Sequence, residues 1–190
     1  LPGPGVLAEH AWTKDWFMDL PKSYLINVFN RYKYFGDKFR TQFGWKFMYD
    51  DKTGGELGFK PQDYSKWGLN VRTIHAELFD KMGIVFEGNS SLGLIFQGKY
   101  HLIDSEYGLN QFYGEEKKFY FNSIYANEFK NGDHRIKTGM SFLYNDLSQR
   151  FWQSMDSTDL NRMELVPGAY FEYTYVFKEK FSLVAGIRGG

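Results

Sequence analysis

The chain has 190 residues, with 23 basic and 23 acidic side chains, four histidines and no cysteine, so its formal net charge is zero. Neither sign is gathered into a run, which excludes the basic face that phosphate-driven nucleic-acid binding needs, and the missing cysteines exclude disulfide frameworks and thiolate metal sites. Aromatic residues make up 20% of the chain although mean hydropathy is −0.49, and no stretch approaches the ~20 consecutive apolar residues of a membrane-crossing helix.

The chain opens on Leu1-Pro2-Gly3-Pro4-Gly5, with neither an initiator Met nor a charged, apolar leader region. Residues 26–34 then alternate, with Ile26, Val28, Tyr32 and Tyr34 on one face, Asn30 among them, and Asn27, Arg31 and Lys33 on the other. A tight turn at Phe35-Gly36-Asp37 leads into a segment that sets Phe43, Trp45, Phe47 and Tyr49 against Gln42, Gly44, Lys46 and Met48. Residues 50–68 read as a long polar loop. In residues 76–86 the apolar set Ala76, Leu78, Met82, Ile84 and Phe86 is interrupted by Asp80, for which a bulge or a place near lipid headgroups would lower the cost.

The turn Glu87-Gly88-Asn89-Ser90 precedes Leu92, Leu94, Phe96, Tyr100 and Leu102, opposed by Gly93, Gln97, Lys99 and His101. After a second expected long loop, 104–115, Phe119, Phe121 and Tyr125 oppose Tyr120, Asn122 and Glu128. The turn Lys130-Asn131-Gly132-Asp133 follows, then Met140, Phe142 and Tyr144 against Lys137, Gly139, Ser141 and Asn145, and a third expected loop at 146–161. The final hairpin sets Ala169, Phe171, Tyr173 and Tyr175 against Gly168, Tyr170, Glu172 and Thr174. It turns at Lys178-Glu179-Lys180, and its partner sets Phe181, Leu183, Ala185 and Ile187 against Ser182, Val184, Gly186 and Arg188.

One apolar and one polar face on segments of ~9–11 residues is the pattern of a lipid-facing wall. Short turns alternating with long loops predict an all-β antiparallel up-and-down meander of about eight strands, part of a larger transmembrane β-barrel. Because only every second residue must face lipid, mean hydropathy stays low. Tyr and Trp at strand ends suit aromatic girdles at the membrane boundary. The final Ile187-Arg188-Gly189-Gly190 reads as mid-strand, so residues 1–190 are expected to be a fragment of one barrel domain. A soluble sandwich that buries the same aromatics in its core is the competing architecture.

Enzyme constellations are weak. His10, His75, His101 and His134 show no i, i+4 spacing for zinc, and no nucleophile elbow or phosphate-binding Gly-rich loop is visible. Asp50, Asp51 and Glu56 offer hard oxygen ligands for calcium but lack the spacing of an EF-hand, and a solvated loop accounts for them. No cofactor and no catalytic residue is expected. The expected ligand-contact residues are the loop aromatics Tyr64, Trp67, Tyr107, Tyr113, Phe151 and Trp152, since recognition concentrates on loops held by a rigid scaffold. Lys46, Glu77, Lys99, His101 and Glu172 are expected on the lumen face, bonded to a plug or to one another across strands.

The segment MELVPGAYFEYTYVFKEKFSLVAGIR (163–188) resembles the strand-turn-strand hairpins in barrels of TonB-dependent outer-membrane receptors, particularly those of Bacteroidota. INVFNRYKYFGDKFRTQFG (26–44), DDKTGGELG (50–58) and HRIKTGMSFLYND (134–146) resemble earlier hairpins of the same barrels, in order along the chain. The resemblance implies a bacterial outer-membrane location, a barrel of about 22 strands, and energy-coupled import of scarce nutrients such as siderophores, cobalamin or oligosaccharides. The implied partners are outer-membrane lipid, a plug domain and the remaining barrel strands, TonB acting through an N-terminal segment, and an unidentified nutrient, with no nucleic acid. Residues 1–190 are expected to be an internal piece that does not include the plug, the TonB-contacting segment or the terminal aromatic strand. A passive porin, or a soluble all-β carbohydrate-binding module using the same aromatics, are the alternatives.

Overall fold

The computed structural model describes residues 16–129, 132–153, 156–178 and 180–190. Eight strands follow one another: β1 Lys22–Phe35, β2 Phe39–Gly55, β3 Gly68–Phe86, β4 Ser90–Tyr107, β5 Asn110–Phe129, β6 His134–Gln153, β7 Asp156–Phe177 and β8 Phe181–Gly189. They form one antiparallel sheet in sequence order, β1 to β8. Among the described residues the fold is all-β, with no helix. The sheet is open: β1 and β8 do not pair with each other, so each leaves one edge without a strand among the described residues. An open sheet of this kind is consistent with part of a barrel.

The tight turns lie where Gly and Asn punctuate the sequence. Gly88 and Asn89 both take the left-handed conformation, with φ of 82° and 60°, and with Glu87 join Phe86 to its partner Ser90. Residues 130, 131 and 179 of the two later turns lie outside the described residues.

Two of the expected long loops are corrected. Residues 104–115 are not a loop: β4 and β5 run on to a two-residue turn at Gly108-Leu109, where Tyr107 pairs with Asn110. Likewise β6 and β7 stay paired from Asp146↔Met163 up to Gln153↔Asp156. The reason is that an alternation of polar and aromatic residues satisfies a ladder as well as an apolar one does; polarity marks solvent, not the end of pairing. Residues 56–67 do form a loop between β2 and β3, although the 50–55 part expected with it belongs to β2.

The register has a regular slant. Phe39, at the start of β2, lies in the row Ile84, Leu92, Tyr125, Thr138, Phe171. The following strand ends at this rim lie two residues past Ile84 at Phe86, four past Tyr125 at Phe129 and six past Phe171 at Phe177. The turns therefore slide by one residue per strand. With a rise of ~3.3 Å per residue and strands ~4.8 Å apart, turns lying in one plane require a strand tilt of about 35°.

Two glycines admit the ring of their cross-strand partner. The Phe79 ring covers its cross-strand partner Gly44, and the Tyr170 ring covers Gly139. A Cβ on Gly139 would come within 2.3 Å of the Ser123 carbonyl oxygen and 2.6 Å of the Tyr170 ring, whereas one on Gly98 would meet nothing within 4 Å. We expect Gly139→Ala to destabilise the protein by about 1–3 kcal/mol, as overpacking does, and Gly98→Ala to be neutral. Denaturant unfolding of both variants in detergent micelles checks this, and equal midpoints would refute the packing account.

Candidate functional site

Directly opposed residues in an antiparallel pair share a face, so the register sorts the whole sheet. Phe43, Asp80, Phe96, Phe121, Phe142 and Pro167 form one continuous row on one face. Every outward set expected from the sequence falls on this face, Phe171 and Ile187 included. No second sheet covers it: Leu78 is 54% exposed and Ile187 73%, and Phe59 is the one buried hydrophobic side chain among the described residues. The bulge considered at Asp80 is absent, because pairing is unbroken on both sides of it; instead Thr41 Oγ1 donates to its carboxylate at 2.7 Å.

The apolar band ends at a polar belt on the same face. Its residues are Asp51 on β2, Arg72 on β3, Asp104 on β4, Glu115 and Lys117 on β5 and Asp146 on β6. Asp51, Arg72 and Asp104 occupy one row, while Lys117 and Asp146 lie four residues lower, in the row of Phe47. Four residues over the four strand steps from β2 to β6 is the slope of the turns at the opposite rim. From β2 to β6 the two edges of the band thus descend by the same four residues. On β4 it runs from Leu92 to Leu102, which at a tilt of about 35° spans about 27 Å.

Tyrosines tie band to belt. Tyr49 donates its hydroxyl to Asp51 at 3.2 Å and Tyr144 to Asp146 at 3.4 Å, so each ring stays in the band while its hydroxyl reaches a carboxylate. Tyr113 donates to Glu115 from the other side at 3.3 Å, and Lys117 pairs with Glu115 at 2.9 Å. Asn70, 7% exposed, donates to Asp51 at 2.8 Å.

The opposite face is polar in its middle. Lys46, Glu77, Lys99 and Lys118 make one row, and Met48, His75, His101 and Glu116 the next. Lys99 donates to Glu116 at 2.6 Å, Gln97 to Glu77 at 2.8 Å, and Glu172 pairs with Lys137 at 3.4 Å. All five expected lumen residues, Lys46, Glu77, Lys99, His101 and Glu172, share this face. The structure adds a pair that the sequence did not suggest: His75 and His101 face each other across the ladder with Nδ1 atoms 3.4 Å apart, and His75 Nε2 lies 3.6 Å from Glu77. Their separation of 26 residues hides this, and only the β3–β4 register exposes it.

The calcium candidates are taken apart. Asp50 and Asp51 sit on β2, point to opposite faces, and bond Lys52 and Asn70 respectively. No group of three or more potential ligands is placed to hold a metal ion among the described residues. His10 lies outside them.

The six aromatics expected on loops divide. Tyr64 and Trp67 are on the 56–67 loop, but Tyr107, Tyr113, Phe151 and Trp152 are on strands, a correction that follows from the extended hairpins. Tyr113 and Trp152 share the face of the aromatic band, whereas Tyr107 and Phe151 are on the other. The loop is held over the sheet: Phe59 packs on Gly68, Gln62 N donates to Glu106 at 3.0 Å, and Gln111 Nε2 donates to the Tyr64 hydroxyl at 2.9 Å. Trp67 lies beside the Gly108 turn, 6.2 Å from the Phe17 ring.

No family model matches the chain, and neither the curated proteins nor the solved structures yield a significant match.

Within the loop, the Ser65 hydroxyl and then the Ser65 amide donate to Asp63, and these bonds, with Lys66 and Lys60 nearby, hold its carboxyl below the usual aspartate range. A lowered carboxylate contributes stability above its unfolded value, about 3.9, and loses that contribution as pH falls through the lower folded value. We expect Ser65→Ala to move the Asp63 titration back up toward the ordinary value. A carboxyl-carbon NMR titration reads this directly; an unmoved midpoint would refute the assignment of cause.

Proposed function

We propose that the chain is wall of an outer-membrane, TonB-coupled receptor barrel that imports a scarce nutrient, with the aromatic face against lipid and the polar face toward a plugged lumen. The observation that carries the reading is the slanted apolar band. With its turns in one plane, the register gives a tilt of about 35° and a height of about 27 Å on β4, in line with a spanning barrel's apolar band about 25 Å tall crossed by strands tilted about 35–45°. A soluble protein gains nothing from two edges that descend together, and it does not leave such a face open.

The tyrosines that join band to belt suit the membrane boundary, where an amphipathic ring keeps its body in hydrocarbon and its hydroxyl in the polar layer. Strands that overshoot the belt at one rim, with tight turns at the other, correspond to extracellular and periplasmic sides. In hydrocarbon every backbone polar group must be paired, so the open edges of β1 and β8 call for further strands of the same barrel. TonB coupling and nutrient import rest on the hairpin resemblance alone. In that reading the row of Lys46, Glu77 and Lys99 and the pair His75 and His101 face the plug, and no step of chemistry is assigned to the chain.

Two measurements test the membrane assignment. A face carrying Phe43, Trp45, Phe47, Phe96, Phe121 and Phe142 should aggregate in plain buffer and become monomeric only in detergent. In the full-length protein, Phe121→Arg should cost roughly 2–4 kcal/mol near the midplane, while Asn122→Arg, on the lumen face, should fold like the parent. Equal costs, read by unfolding in phospholipid vesicles, would sink the face assignment.

A further inference from the structure

Above the polar belt the aromatic-band face continues onto the overshooting ends of β5, β6 and β7. There Gln111, Tyr113, Arg150, Trp152 and Asp159 lie on the same face. Arg150 donates to Asp159 through Nε at 2.5 Å and Nη2 at 3.2 Å, and its guanidinium carbon sits 5.4 Å from the centre of the Trp152 ring. Tyr64, brought down by the 56–67 loop, is 55% exposed and accepts from Gln111. Together they make a shelf of ring faces edged by fixed donors and acceptors.

We propose that this shelf binds the uncharged saccharide headgroup of a glycolipid in the leaflet around the barrel. The proposal rests on the membrane reading above, since it places the shelf just outside the hydrocarbon, on the lipid-facing side, where headgroups are the neighbours. The chemistry favours a sugar: the apolar side of a pyranose stacks on Trp152 and Tyr64, and its hydroxyls exchange hydrogen bonds with Gln111, Arg150 and Asp159. Charge disfavours a phosphate. Asp51, Asp104, Glu115, Asp146 and Asp159 outnumber Arg72, Lys117 and Arg150 on this strip, and Arg150 is already neutralised by Asp159. Beneath the belt on the same face, a hollow of about 570 Å³ lies over Ala76 and Gly98, between Trp45, Phe47, Phe119 and Tyr144, with room for the lipid's chain. Lys117 at its rim is four residues from Tyr113 on the shelf, about 13 Å along the strand, so one amphiphile can touch both.

The test uses the full-length protein reconstituted into phosphatidylcholine vesicles that contain a minor fraction of digalactosyldiacylglycerol, extracted with its bound lipid and analysed by mass spectrometry. The galactolipid should be enriched about fivefold over the bulk, equivalent to about 1 kcal/mol. Trp152→Ala and Tyr64→Ala should each remove that enrichment, and Leu160→Ala, on the opposite face of β7, should keep it. Absence of enrichment, equal loss in Leu160→Ala, or equal enrichment of phosphatidylglycerol overturns the proposal. So does displacement of the lipid by soluble digalactoside at matching concentration, which would make the shelf a free-sugar site. Protease protection in the same vesicles separates the two readings: an unprotected band defeats the membrane assignment itself, whereas a protected band without enrichment defeats the shelf alone.

Discussion

The antiparallel register is the constraint on which everything else depends. Side chains alternate with a period of two, so a slip of one residue in any pairing would turn a whole strand's aromatic set to the polar side. Unbroken pairing from β1 to β7 carries the face of Phe43 through Phe96 and Phe121 to Phe142. It also brings His75 against His101 and Lys137 against Glu172 on the other side. The turns set this register locally, since Gly88 and Asn89 accept a left-handed backbone that few other residues adopt without strain.

What the sheet lacks is a core of its own. Its accessible surface is 13618 Å², whereas a compact monomer of 22.3 kDa exposes about 9,400 Å². Phe59 is buried, but under the 56–67 loop rather than between layers. Hydrogen bonding along the ladder and cross-strand contacts such as Phe96 with Phe121, whose ring centres are 5.0 Å apart, hold the strands to one another. They do not remove the aromatic face from its surroundings. No second layer among the described residues covers that face, and its height on β4 fits the proposed location in a bilayer.

The polar belt organises the upper edge through short-range chemistry. Tyr49 and Asp51, and Tyr144 and Asp146, are spaced so that both members of each pair point the same way. Beyond the belt the strands remain paired, and the loop that crosses them is fastened by Glu106 and Gln111 rather than left free. The proposed shelf is consequently built on ladders, with one folded loop added. A shelf on rigid strands positions its side chains better than a loop would.

The sequence by itself determined the strand class, the tight turns at Gly36 and Gly88, and the face assignments within each strand, because alternation and turn chemistry are local properties. Lys46, Glu77, Lys99, His101 and Glu172 were legible as one face for the same reason. It did not determine how strands align, and so could not predict the pair His75 and His101, the slide of one residue per strand, or the shelf around Trp152. It also misread 104–115 and 146–161, where polar residues mark water but pairing continues. Those outcomes depend on contacts between residues far apart in the chain, and only the three-dimensional ladder sets which residues meet.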